Sequence, residues 1–73
     1  MIKEDQTMKH IIIGFKDHKR FYLVLEEDGS AHWSENEKDA SVYASYDMAL
    51  NDWFELNKSQ FDRVFIANRQ PIK

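Results

Sequence analysis

Lys9-His10-Ile11-Ile12-Ile13-Gly14-Phe15 is followed, across the polar tetrapeptide Lys16-Asp17-His18-Lys19, by Arg20-Phe21-Tyr22-Leu23-Val24-Leu25-Glu26. Two short runs of matching length, rich in β-branched and aromatic residues and separated by a few polar ones, read as the strands of a hairpin. Strand alternation predicts that Ile11, Ile13 and Phe15 meet Phe21, Leu23 and Leu25 on one face, with His10, Ile12, Tyr22 and Val24 on the other. That second face is too apolar to stand wholly in water.

Downstream, Asp28-Gly29 is the strongest turn signal in the chain, because glycine supplies the positive φ that tight hairpins need. It predicts a third strand, Ala31-His32-Trp33-Ser34, antiparallel to the second. Ser34-Glu35-Asn36-Glu37-Lys38-Asp39 lacks apolar periodicity and reads as a charged loop. Ala40-Ser41-Val42-Tyr43 fits either one helical turn or a short extended piece.

Ser45 is placed to cap a helix, with Asp47 in its first turn favouring the positive end of the helix dipole. From Tyr46 to about Asn57 the apolar residues Ala49, Leu50, Trp53, Phe54 and Leu56 follow helical spacing, while Asp47, Asn51, Asp52 and Glu55 fall on the opposite, wet face. A helix this short is marginal alone in water, so Leu50 and Trp53 are expected to anchor it on the sheet. Residues 57–60 end the helix, residues 61–67 read as a last strand, and Pro71 stops further pairing. The order is β-β-β-α-β: an α+β fold in which one amphipathic helix packs on one face of a small, mostly antiparallel sheet. Residues 1–8 read as a polar N-terminal tail, residues 9–69 as the single domain and residues 70–73 as a C-terminal tail; Met1 and Met8 are both candidate starts.

Length bounds the rest. A chain of 73 residues without cysteine holds one small domain, and such domains bury only roughly 60% of their unfolded surface. Little room remains for an enclosed active site. The polar start and the three-residue isoleucine run give neither a signal-peptide core nor a bilayer span, so the expected location is cytoplasmic.

The formal charge of −3 conceals an uneven distribution. Residues 1–25 hold five Lys or Arg against three Asp or Glu, residues 26–55 hold one against nine, and residues 56–73 hold four against one, giving +2, −8 and +3. The central block repels nucleic-acid phosphate and attracts a basic surface; as a bland alternative it keeps a small protein in solution.

Tests for chemistry return little. His10, His18 and His32 have no metal-ligand spacing, and no cofactor is expected. The serines lack a strained nucleophile elbow and have simpler roles in turns and caps. Two glycines, Gly14 and Gly29, cannot build a phosphate-cradling loop. The expectation is a non-enzymatic protein. Its candidate partner-binding residues are Glu35, Glu37, Asp39, Asp47, Asp52 and Glu55, which can share one side of the molecule, flanked by Tyr43 and Tyr46. Those tyrosines are of the amphipathic type favoured at interface hot spots, and either serves equally well as a lid on the core.

Trp33 followed by the Ala40-x-x-Tyr43-x-Ser45-x-x-x-Ala49 step into a helix resembles the small α+β accessory proteins of bacteriophages and mobile elements, which include anti-CRISPR and other anti-defence inhibitors. The resemblance spans residues 9–67. It implies a cytoplasmic inhibitor of a host or defence protein, working at times by imitating nucleic-acid charge. The acidic block would then dock on a basic, nucleic-acid-handling protein partner, with no membrane and no direct nucleic-acid contact. Two alternatives stand beside it: a self-associating module that forms a homodimer through an unpaired sheet edge, and a weak nucleic-acid binder through Lys16, Lys19, Arg20 and Arg63 should the last strand lie beside the first.

Overall fold

A computed structural model describes residues 9–69; the tails at 1–8 and 70–73, with the break expected at Pro71, lie outside the described residues. The strands β1 (Lys9–Lys16), β2 (Lys19–Leu25) and β3 (Ala31–Ser34) are followed by a 3-10 turn (Glu37–Asp39), helix α1 (Tyr46–Glu55) and strand β4 (Arg63–Arg69). All pairings are antiparallel, in the order β3-β2-β1-β4, so the last strand does lie beside the first. The α+β fold class read from the sequence is the one observed.

The first hairpin differs from its expected packing. Lys16 pairs with Lys19, so Asp17 and His18 alone form the turn, both with left-handed backbone (φ 53° and 67°). Ile13 consequently opposes Tyr22, and Gly14 opposes Phe21. Opposed residues share a face, so Ile11, Ile13 and Phe15 group with Arg20, Tyr22 and Val24, not with Phe21, Leu23 and Leu25. Both strands are apolar at consecutive positions, and the length of the turn decides the pairing where hydrophobicity cannot.

At the second turn Gly29 has a φ of 93° and its N–H donates to the Glu26 carbonyl at 3.1 Å. Asp28 accepts from both the amide and the hydroxyl of Ser30, at 2.9 and 2.7 Å. These bonds hold the Asp28 carboxyl below its ordinary value.

Beyond Ile13 and Tyr22 the gap between β1 and β2 is filled by another part of the chain. Tyr43 exchanges both backbone bonds with His10 (2.7 and 3.1 Å), the Ser41 N–H donates to the Leu23 carbonyl (3.0 Å), and the Ser41 hydroxyl accepts from the Leu25 N–H (2.8 Å). Of the two conformations open to residues 40–43, the extended one is adopted, because the inner edges of two strands require partners.

This insertion carries the chain from one face of the sheet to the other. Ala40 packs with Ile11, Ile13 and Tyr22, whereas Tyr43 packs with Ile12, Leu23, Ala49 and Val64 beneath α1. The larger cluster also takes in Trp33, Trp53, Leu56, Phe61 and Ile66.

Helix α1 begins as expected: the Ser45 hydroxyl accepts from the Met48 N–H at 3.2 Å, and Asp47 sits in the first turn. It ends at Glu55, two residues before the expected boundary, where the Lys58 ammonium meets the Trp53 and Leu56 carbonyls at 2.8 and 3.2 Å. A cation beside those carbonyls complements the negative end of the helix. Trp53 packs into the core as expected, but Phe54 turns outward and is 67% exposed.

Phe61 was expected to open the last strand; it instead precedes β4 and fills the space above Gly14. Its ring lies 4.5 Å from Trp33 and 5.7 Å from Phe21, centroid to centroid. A Cβ added at Gly14 would stand 2.9 Å from that ring. Gly14→Ala must therefore displace a side chain wedged between two other aromatics, and is expected to lower stability by about 1–3 kcal/mol in urea denaturation. A stability equal to that of the parent would show that Phe61 is not seated there.

Candidate functional site

The insertion at residues 40–43 decides where the candidate residues lie. Ser34 opposes Tyr22, so the two share the sheet face away from α1. The Ser34 hydroxyl donates to the Asp39 carboxylate at 2.8 Å, which places the end of the acidic turn on that same face. Asp47, Asp52 and Glu55 ride on α1, packed on the opposite face. The Asp39 carboxylate therefore does not join the helix carboxylates in one patch, because the chain crosses the sheet between them; Glu35 and Glu37 are exposed in the connection before that crossing.

The two tyrosines also part. Tyr43 is buried in the core, and its hydroxyl donates to the Asp52 carboxylate at 2.7 Å. Of its two readings, Tyr43 takes the one within the core, and Asp52 is half-buried as its acceptor. Burial, reinforced by the adjacent carboxylate, pushes the Tyr43 phenol well above its ordinary value. Tyr46 remains 51% exposed, with its ring edge-on to that of His10 at 6.0 Å.

Around Tyr46 the structure assembles a surface that sequence reasoning did not single out. An open groove of about 260 Å³ runs between α1 and β4, lined by Tyr46, Leu50, Trp53, Val64, Phe65 and Ile66. Leu50, expected as an anchor beneath the helix, forms part of its wall. Phe54 stands T-shaped against Trp53 at 5.2 Å and extends the apolar surface. Tyr46, Leu50, Trp53 and Phe54 follow one helical stripe, the signal by which sequence could have found them; the strand side required knowing that β4 is an outer strand.

That outer edge is partly protected. The Trp53 indole N–H donates to the Val64 carbonyl at 2.8 Å, and the Lys58 ammonium lies 4.2 Å from the indole centroid. Trp53, with Lys58 over its ring, thus covers the start of β4 and blunts one end of an edge that would otherwise invite pairing.

The histidines sit apart. His10 is on β1 beside the helix, His18 is in the first turn, and His32 on β3 places Nδ1 3.0 Å from Glu26. Among the described residues no group of three His, Cys, Asp or Glu could hold a metal ion, and no helix is long and apolar enough to cross a membrane.

Tyr43→Phe removes the bond to Asp52 and is expected to cost about 1 kcal/mol at neutral pH. The folded state holds the Tyr43 proton more tightly than the unfolded state does. This contribution is complete below the ordinary phenol value of about 10 and is lost as pH rises toward the higher folded value. The stability difference between parent and variant, measured by urea denaturation, should therefore hold constant up to about pH 10 and shrink above it. A difference independent of pH would contradict the assignment. No known protein family, characterised protein or solved structure matches this chain.

Proposed function

We propose that this chain is a non-catalytic protein-binding module whose α1–β4 side receives a partner protein bearing apolar and basic groups. The observation that carries this reading is the exposed aromatic rim on α1, with Tyr46 51% and Phe54 67% exposed at an open groove beside an outer strand. Large apolar side chains gathered at a concavity favour partner contact over solvent. Asp47 and Glu55 are exposed on the same helix, which has no basic residue, so charge complementarity selects a basic partner. A basic surface on a nucleic-acid-handling host or defence protein has this chemistry, and inhibition of such a protein is the activity proposed. Self-association is a second reading, favoured by the position of β4 at the sheet edge.

The test is capture of partners from a nuclease-treated bacterial lysate by the parent chain, a Tyr46→Glu/Phe54→Glu variant and a Glu35→Lys/Glu37→Lys variant. Circular dichroism checks each fold. The first variant is expected to weaken the captured complex more than tenfold, as for interface hot spots, and the second to leave it intact. Loss confined to the second variant would move the site to the acidic loop. A mass that doubles with concentration in light scattering, and returns to that of the monomer in the Phe54 variant, would favour self-association.

A further inference from the structure

On the sheet face away from α1, the end nearest the first hairpin carries a row of alternating charge and aromaticity. Phe15 opposes Arg20 on one side and Arg63 on the other, so the three stand abreast across β2, β1 and β4. The next row holds Tyr22, Ile13 and Phe65. The Arg63 guanidinium lies near both rings, 5.9 Å from the centroid of Phe15 and 6.0 Å from that of Phe65. Arg20 and Arg63 are exposed, Phe15 is half-buried and Phe65 is 38% exposed. Lys16 and Lys19 form the exposed closing pair of the hairpin just beyond this row.

We infer that this corner of the sheet is a binding platform for single-stranded nucleic acid, separate from the groove beside α1. Aromatic rings on an open sheet stack against unpaired bases, and flanking arginines hold the phosphates. Duplexes present no free base faces, so they are disfavoured. Two carboxylates share this end, Asp17 and Asp62; the Asp62 carboxylate is turned toward the Asp17 backbone N–H at 3.4 Å. Arg20 and Arg63 stand on this face beside the Phe15 ring, while strand alternation turns Lys16 and Lys19 to the other face at the same end of the hairpin, so the local charge differs from the acidic balance of the whole chain. The acidic turn that ends at Asp39 lies on this same face, tied to Ser34 of β3. Repulsion from that turn directs the polynucleotide along β1 and β4, where Phe15, Arg63 and Phe65 lie. The second alternative raised by the sequence depended on β4 lying beside β1, and that condition is met. The inference does not depend on the proposed protein partner.

The experiment is fluorescence anisotropy of labelled 15-residue oligo(dT) and oligo(rU) with the full chain at several salt concentrations. Binding at low salt that weakens as salt rises is expected, with Arg20→Glu/Arg63→Glu lowering affinity at least tenfold and flattening the logarithmic salt slope by about one or more. Arg63→Lys should retain most of the affinity, which separates lost charge from lost folding. Phe15→Leu, which keeps an apolar side chain but removes the ring, should weaken the oligonucleotide several-fold and leave inorganic polyphosphate unaffected. Absence of binding by the parent chain at low salt would overturn the proposal. So would binding that survives reversal of both arginines, preference for duplex over single strand, or equal affinity for polyphosphate and oligonucleotide in both parent and Phe15 variant.

Discussion

The insertion of residues 40–43 between β1 and β2 is the constraint on which the rest of the structure depends. Two strands joined by a tight turn would ordinarily stay paired to their ends. Here the inner edge of β1 is satisfied by Tyr43 and that of β2 by Ser41. Leaving such groups unpaired in a buried setting costs on the order of 1–3 kcal/mol each, so this stretch is held in place by backbone chemistry as well as by its side chains. The Tyr43 ring then enters the core, and its hydroxyl reaches Asp52 on the second turn of α1. One residue thereby links strand, connector and helix.

Passage through the sheet gives the small molecule two unlike sides. The acidic turn stays on one face, bonded to Ser34, while α1 and its carboxylates cover the other. The helix face closes over an aromatic core but leaves Tyr46 and Phe54 in solvent beside the outer strand. The opposite face is covered toward Ala40 and open toward Arg20, Phe15 and Arg63. Charge that looked like one acidic block along the chain is divided in space.

Local signals in the sequence were legible where a residue's own chemistry determines the geometry. Gly29 supplies a positive φ, Ser45 caps a helix, and Trp53 anchors it; each acts where the sequence placed it. Facing across the first hairpin was not legible from hydrophobicity, because Ile11, Ile12 and Ile13 are all buried and Tyr22 and Leu23 both are too. Only the two-residue turn at Asp17 and His18, without the glycine that usually marks it, fixes the parity. Phe61 and Phe54 exchanged expected roles with their surroundings for a similar reason: a ring's place depends on the gap above Gly14 and on the outer position of β4, neither of which is local. The Tyr43–Asp52 bond joins residues nine apart through a chain reversal and leaves no mark in the sequence.

Hydrogen exchange of the backbone amides tests this account most directly. Ser41 and Tyr43 lie in a connector that would exchange quickly as an ordinary surface loop. As residues bonded to Leu23 and His10 across the opening of a sheet, they should instead exchange as slowly as the central amides of β1, and through the same global unfolding. Rapid exchange at Ser41 and Tyr43 alongside a protected β1 would contradict the insertion, and with it the division of the molecule into two faces.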